Sequence, residues 1–317
     1  MTANVPFRYE RIEFCRYPPA NEWRPRNVRP AGPTPVDGPK PSPAPGSGRD
    51  VTAPVQLAAC TMLRHELGRN RDLVLEWLAY HRLQGVEHFY IFSNGDTRAL
   101  RRLLRPYVEE GAVEVIDWEW NSTSWVHQLP QTNACIYRYR GLARWVALMD
   151  VDEYFQAAPA AGGSLRAFVA RHDNTTAGAL CAPMVLFRGT DPPGAGGTLL
   201  KYGNLVTAEF VLRAATALPS RGKCVCRPEG VNIMDVHEYC GGGPAERTDA
   251  DRELRVNHYK ASETIPNYGF LFPNAVERFD TEDRSMLSGT PALRAEILRA
   301  FPDWLSASRG STGTDQS

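Results

Sequence analysis

The residues Arg144-Trp-Val-Ala-Leu-Met149 run without a break into Asp150-Val-Asp152-Glu153-Tyr154. A run of mostly apolar residues of this length is driven into an interior as a strand covered on both faces. Three acids within the next four positions end that interior abruptly, so the fold must bring this strand end to a polar surface. On an extended backbone, residues two apart project the same way, which would set Asp150 beside Asp152. Like charges held that close are costly, and a divalent cation is the neutraliser such a pair calls for. Hard carboxylate oxygens suit Mg²⁺ or Mn²⁺, which take one or two protein carboxylates and fill the remaining positions with phosphate oxygens of a substrate. A solvated strand end is the plainer alternative.

The upstream pattern says what sheet this strand belongs to. Val55 to Met62 is an apolar run of strand length ending at Arg64-His65-Glu66. From Asn70 to Gln84 the apolar residues recur at helical spacing, with Asn70 placed as an N-cap and Gly85 as a stop. Val86 to Phe92 reads as a second strand closing on the turn Ser93-Asn94-Gly95-Asp96, a helix is expected from Thr97 to Glu110, and Val113 to Trp118 gives a third strand. A further helix is expected over Gln131 to Leu142. Strand and helix in alternation mean right-handed crossovers and a parallel sheet covered by helices. Ligands of such sheets sit outside the carboxyl ends of the strands, where Glu66, Asn94 and Asp150 fall.

Composition bounds the rest. From Pro18 to Pro45 there are ten prolines in 28 residues and almost no apolar side chains, so the stretch is expected to be an extended linker. The expected organisation is a flexible region 1–50, one α/β domain 51–305 and a frayed tail 306–317. Lys plus Arg and Asp plus Glu number 36 each, which removes any chain-wide electrostatic case for a nucleic acid or an anionic membrane as partner. No apolar run approaches the roughly 20 residues of a membrane helix, and no secretory signal is visible. The seven cysteines, odd in number and scattered, argue against a disulfide framework and for a reducing, cytoplasmic setting.

Several blocks together resemble the family 92 glycosyltransferases and closely related bacterial families of the glycosyltransferase 2 type. They are Glu76-Trp77, Gly85 to Asn94, Ala143 to Phe155, Gly222-Lys223 to Pro228, Val236-His237 and His258-Tyr259. The resemblance implies a GT-A-like, Rossmann-like fold with a mostly parallel sheet, and a metal held by Asp-x-Asp. It also implies a nucleotide-diphosphate-sugar donor, a glycan or lipid-linked acceptor and inverting chemistry. Because no anchor is visible in the sequence, the expected setting is cytoplasmic, at the inner face of the membrane if the acceptor is a lipid-linked glycan. The chain departs from the family pattern at Phe187-Arg188-Gly189-Thr190 and the Pro/Gly loop after it, which makes acceptor recognition the least transferable feature.

Within that resemblance Asp152 is expected to ligate Mn²⁺ or Mg²⁺, with Asp150 reaching the metal or the ribose, Glu153 orienting either, and His237 or His258 completing the site. Lys223 is placed to meet phosphate, and Glu66 and Asn94 to hold the base and ribose, whereas His65 and Asp96 more simply cap turns. An inverting transferase needs a carboxylate to accept the proton of the attacking hydroxyl. Asp235, Glu238, Glu282 and Asp283 are the downstream candidates, and Asp235 is preferred for its place beside His237. Trp118, Trp120 and Trp125 could stack on sugar rings, though the core is the default for Trp118. Zinc on Cys224, Cys226, His237 and Cys240 is the weaker reading, because cysteines two apart fit a strand with small residues on one side. The glycosylation-type triplets at Asn121 and Asn174 are most simply chance. Two other functions stay open: a non-catalytic sugar or nucleotide binder, and a phosphoryl or nucleotidyl transferase, although no Walker loop is present.

Overall fold

The computed structural model describes residues 54–64, 67–118, 128–188, 204–237, 239–259 and 279–307. The chain divides into units 1–44 and 45–317, and all the described residues belong to the second. The Pro-rich stretch, the tail, His65, Glu66, Trp120, Trp125 and Glu238 lie outside the described residues.

The first half is the alternation expected. Strand β1 (Val55–Arg64) is followed by helix α1 (Leu67–Leu83), β2 (His88–Asn94), α2 (Thr97–Leu103), α3 (Arg105–Glu109), β3 (Val113–Asp117), α4 (Gln128–Tyr139) and β4 (Ala143–Leu148). β1 pairs in parallel with both β2 and β4, and β2 with β3, giving the order β3-β2-β1-β4. Both faces are buried: Leu57, Ala59 and Leu63 of β1 pack on one side of the sheet, and Ala58, Cys60 and Met62 on the other. Gly85 ends the turn after α1 at φ 90°, where a Cβ would also run into the Arg166 side chain.

Two helix boundaries differ from expectation. α1 begins at Leu67, so Asn70 stands inside its first turn rather than at the cap. The helix expected over 97–110 is two short ones, because Pro106 has no amide hydrogen to continue the ladder and opens α3 instead. Asp96 is the N-cap of α2, accepting from the Ala99 amide at 2.8 Å, which is the turn-capping role expected of it.

The second half continues the sheet with mixed direction. β5 (Glu153–Ala157) leads through α5 (Leu165–Ala170) to β6 (Ala179–Arg188), and α6 (Val206–Glu209) leads to β7 (Leu212–Arg213) and β8 (Leu218–Cys226). β9 (Val231–Met234) and β10 (Tyr239–Gly242) form a separate two-stranded sheet. They are followed by β11 (Ala245–Arg247), β12 (Leu254–Tyr259), β13 (Thr281–Glu282), α7 (Thr290–Ala300) and α8 (Trp304–Ala307). β8 inserts antiparallel between β4 and β6, while β12 runs parallel to β6 and antiparallel to β5. The result is the α/β domain with a largely parallel central sheet that the resemblance implies. β8 comes so close to β6 that a Cβ on Gly222 would stand 1.8 Å from the Ala182 carbonyl oxygen, which requires glycine before Lys223.

The cysteines overturn the expectation drawn from their number. Cys60 of β1 is bonded to Cys135 of α4, and Cys181 of β6 to Cys224 of β8, with Cys226 free and buried. Parity and scatter carry no information here because pairing follows the fold: the β6–β8 register sets Cys181 directly opposite Cys224. The premise for a reducing compartment falls with it. Cys224 is thereby also taken from the zinc reading. No helix among the described residues is long and apolar enough to cross a membrane.

Candidate active site

The acidic block is a tight turn between β4 and β5 rather than an extended strand end. The Glu153 amide donates to the Asp150 carbonyl at 3.1 Å, and the Glu153 carboxylate accepts from the Asp150 amide at 2.7 Å. This reciprocal bonding corrects the expectation that Asp150 and Asp152 lie side by side on an extended backbone, because a turn sends them to different neighbours. α1 braces the turn from behind. Trp77 Nε1 donates to the Glu153 carbonyl at 3.1 Å and the Tyr80 hydroxyl to the Phe155 carbonyl at 2.8 Å. Glu76, next to Trp77, is buried and accepts from the Val206 amide at 2.7 Å, the Thr207 amide at 3.0 Å and the Thr207 hydroxyl at 2.7 Å, thereby fixing the start of α6.

Asp150 faces β8. Its carboxylate accepts from Lys223 Nζ at 3.1 Å and from Gln128 Nε2 of α4 at 3.2 Å. The same Lys223 ammonium lies 3.2 Å from the buried Glu153 carboxylate. Burial alone would lower the Lys223 pKa, but the Asp150 and Glu153 charges outweigh it and hold the ammonium well above the usual lysine range. Burial pushes the Glu153 carboxyl up, opposed chiefly by Lys223. Asp150 is therefore neutralised from inside the protein, and the Lys223 ammonium is committed to two carboxylates rather than left open to a phosphate.

Asp152 faces β12. The antiparallel register of β5 and β12 sets His258 opposite Glu153, and the Tyr259 amide donates to the Asp152 carbonyl at 2.8 Å. His258 Nε2 lies 3.2 Å from Asp152 Oδ2, and its Nδ1 lies 3.1 Å from the Met184 sulfur. His237 is elsewhere, after β9, among Lys223, Asp150 and Arg221. Burial and the neighbouring Lys223 charge depress its pKa to about 3, so it is a neutral imidazole. Its Nδ1 has no hydrogen-bond partner among the described residues. Of the two histidines expected near the metal, the fold brings His258 to an Asp-x-Asp carboxylate and leaves His237 beside a fixed cation. Among the described residues no group of three His, Cys, Asp or Glu side chains is arranged to hold a metal ion.

The remaining expected residues separate clearly. Asn94 is buried at the carboxyl end of β2, in register with Arg64 of β1. Asp235 is half-buried, accepts from the Val236 amide at 2.6 Å, and stands next to a cleft lined by Val236, Asp150 and Lys223. Asp283 is held by Arg255 at 2.8 Å and Arg213 at 3.2 Å. Burial would raise its pKa, but Ser285 and Arg255 outweigh that and lower it, which makes it a poor proton acceptor. Glu282 is exposed and paired with Arg284. Trp118 packs edge-on against Phe92 at 5.2 Å in the core, the default expected of it. The sequence reading missed Gln128, which lies just before the helix start it assigned, and gave no role to Glu76 or Trp77.

The profile of glycosyltransferase family 92 matches residues 67–288. A glycosyltransferase family 92 protein of Ricinus communis is 28% identical over 217 residues, covering 65% of this chain and 36% of the relative. Galactan β-1,4-galactosyltransferase GALS2 of Arabidopsis thaliana is 27% identical over 198 residues, covering 60% of this chain and 37% of the relative. The chain thus spans little more than a third of the length of these relatives. Among solved structures, S. aureus TarS 1–349 gives a TM-score of 0.41 at 11% identity, covering 80% of this chain and 83% of that chain. The family match takes in Glu76-Trp77 behind the turn, the acidic turn itself, Lys223 and His258, and with it the chain belongs to glycosyltransferase family 92.

Proposed function

We propose that the chain is a metal-dependent glycosyltransferase that moves a sugar from a nucleotide-diphosphate donor to a hydroxyl of a glycan or lipid-linked acceptor, with inversion. The observation that carries this reading is the pairing of Asp152 with His258 at 3.2 Å, just past the carboxyl end of the central strand β4. Two ligands on adjacent corners of an octahedron around an ion of Mg²⁺ size lie about 3 Å apart, so the pair fits Mg²⁺ or Mn²⁺ with donor phosphates completing the shell. An imidazole in the set favours Mn²⁺. When bound, the metal neutralises the charge that develops on the departing diphosphate.

The chain's own residues supply the rest. Lys223 and Gln128 fix Asp150 so that its carboxylate can accept a donor hydroxyl, and Lys223 acts on the donor through Asp150 rather than through phosphate. Asn94 at the end of β2, and Glu66 two residues along the chain from β1, hold the base and ribose. Asp235, beside the cleft next to Asp150, takes the proton from the acceptor hydroxyl as that oxygen attacks the anomeric carbon. The galactosyltransferase name of the Arabidopsis relative makes a nucleotide-diphosphate galactose the first donor to try.

The test is metal-dependent release of nucleotide from a panel of uridine, guanosine and thymidine diphosphate sugars, since transferases slowly pass donors to water. Release with Mn²⁺ from one donor, reduced at least about a hundredfold in Asp152→Asn and in His258→Ala, is expected. No release and no metal-dependent donor binding by calorimetry would overturn the reading. Donor binding that survives chelation and both substitutions would identify a non-catalytic binder.

A further inference from the structure

Strand β6 runs antiparallel to β8, and β8 antiparallel to β4, so β6 ends at the same edge of the sheet as β4 and its acidic turn. The last residue of β6 is Arg188. Residues two apart on a strand share a face, so Arg188 stands with Met184 and Leu186. The β6–β12 register sets Leu186 opposite His258, whose Nδ1 lies 3.1 Å from the Met184 sulfur, so the imidazole of the candidate site is on that face as well. With about 3.3 Å per residue along a strand and about 4.8 Å between strands, the Arg188 and His258 backbones are about 8 Å apart. On the opposite face, that of Phe187, Arg213 and Arg255 share Asp283 at 3.2 and 2.8 Å. Arg188 makes no ion pair among the described residues: its guanidinium lies over the Phe279 ring, 5.0 Å from the centroid, and its Nε is buried without a hydrogen-bond partner. Glu282, which the β6–β7 and β7–β13 registers bring to the same face, is two strands away and accepts from Arg284.

A ring beneath a guanidinium holds its flat face and leaves the N–H edge for other partners. A cation fixed that way with no counter-charge is a receptor for an anion with two oxygens. The sheet order says which anion can reach it. From Asn94 on β2 the order runs β2-β1-β4-β8-β6, so Arg188 lies across the acidic turn from the residues assigned to base and ribose. That is the sugar side of a donor whose diphosphate is held at Asp152 and His258. We infer that Arg188 binds the carboxylate of an acidic sugar and so selects a uronate over the matching neutral hexose. A planar carboxylate accepts two parallel hydrogen bonds from the guanidinium fork, which a hydroxymethyl group in its place cannot do. The carboxylate can belong to the sugar being transferred or to the acceptor. The side assigned to the nucleoside rests on the transferase reading above; the fixed, uncompensated cation does not.

The experiment uses the full chain with Mn²⁺, the variants Arg188→Gln and Arg188→Lys, and a check that their thermal midpoints are unchanged. Calorimetry compares uridine diphosphate, uridine diphosphate glucose and uridine diphosphate glucuronate. NMR titrations of the chain loaded with uridine diphosphate compare galactose with galacturonate and glucose with glucuronate. If the acid is on the transferred sugar, the glucuronate donor binds at least about tenfold tighter than the glucose donor. If it is on the acceptor, the two donors bind alike and one uronate binds at least about tenfold tighter than its hexose. In either case Arg188→Gln abolishes the preference, with the affinity for uridine diphosphate within about twofold. Arg188→Lys keeps the charge without the fork and decides by the same readings should Arg188→Gln not fold. No preference for an acid in either arm overturns the inference. So does an equal loss for uridine diphosphate itself, which would put Arg188 on the diphosphate. If the wild type binds no uridine diphosphate, the transferase reading fails by itself, and the same monosaccharide titrations of the unloaded chain decide Arg188. A uronate preference lost in Arg188→Gln upholds the inference there, and its absence overturns it.

Discussion

The parallel half of the sheet, β1 to β4, and the mixed half that follows bury their strands by different means. In the parallel half successive residues of β1 and β4 are apolar on both faces, so each strand is held by shape and area against two layers. In the mixed half the central strands carry Glu153, Lys223, Arg255, Asn257 and His258, all at most 8% exposed. Groups of that kind are tolerated in an interior only when paired. The candidate site lies on the seam, where apolar β4 ends and charged β5, β8 and β12 begin. The first half is a frame that many apolar sequences could build; the second is specified by particular pairs, and those pairs are where chemistry can be done.

That contrast is most sharply tested at Lys223. Lys223→Met leaves the wholly buried Glu153 and the partly buried Asp150 without their cation and is expected to cost about 3–5 kcal/mol in denaturant unfolding. Adding Glu153→Gln removes the stranded charge and should recover much of the loss. A volume-conserving exchange in the parallel half, Leu57→Met, is expected to cost less than about 1.5 kcal/mol. Equal costs for the two single substitutions would erase the distinction between the halves.

Among the described residues each half contains a disulfide, and here the two should behave alike. Cys60–Cys135 joins residues 75 apart and Cys181–Cys224 residues 43 apart. Loop-closure entropy grows only slowly with length, so replacing either pair by serine should cost about 2–4 kcal/mol. Alkylation of the unreduced, denatured chain followed by mass spectrometry checks the pairs directly. Labelling at Cys60, Cys135, Cys181 and Cys224 without reduction would remove both.

The same division governs what was legible in the sequence. β1 to β4 could be read because their signals are local: apolar runs of strand length, helical spacing, and turn residues such as Ser93 to Asp96. The errors there were local too, a helix carried through Pro106 and a cap placed at Asn70. The acidic turn was legible because an apolar run stopped at it. Which partner each acid takes was not, because Lys223 and His258 are far along the chain and reach Asp150 and Asp152 only through the β4–β8 and β5–β12 registers. Parity of cysteines failed for the same reason.

The smallest expected effect concerns Glu76, where the parallel half meets α6. Burial raises its carboxyl to about 7, although the Thr207 and Val206 bonds favour the charged form. In the unfolded chain it titrates near the ordinary glutamate value, about 4.3. Between those values the folded protein binds more protons than the unfolded one, so stability falls as pH rises across that window. The Glu76 contribution is therefore fully present below pH about 4 and is lost by pH about 7, a slope opposite to that of Asp283, whose lowered pKa contributes stability above the usual carboxylate range. Glu76→Gln cannot titrate and presents an amide where the Val206 and Thr207 amides need acceptors. It should cost about 1–2 kcal/mol at neutral pH through that mismatch and remove the falling slope between pH 5 and 7. Urea unfolding of both proteins at half-unit steps of pH measures it. Parallel curves would mean that Glu76 remains ionised throughout, and that its bonds to α6 outweigh its burial.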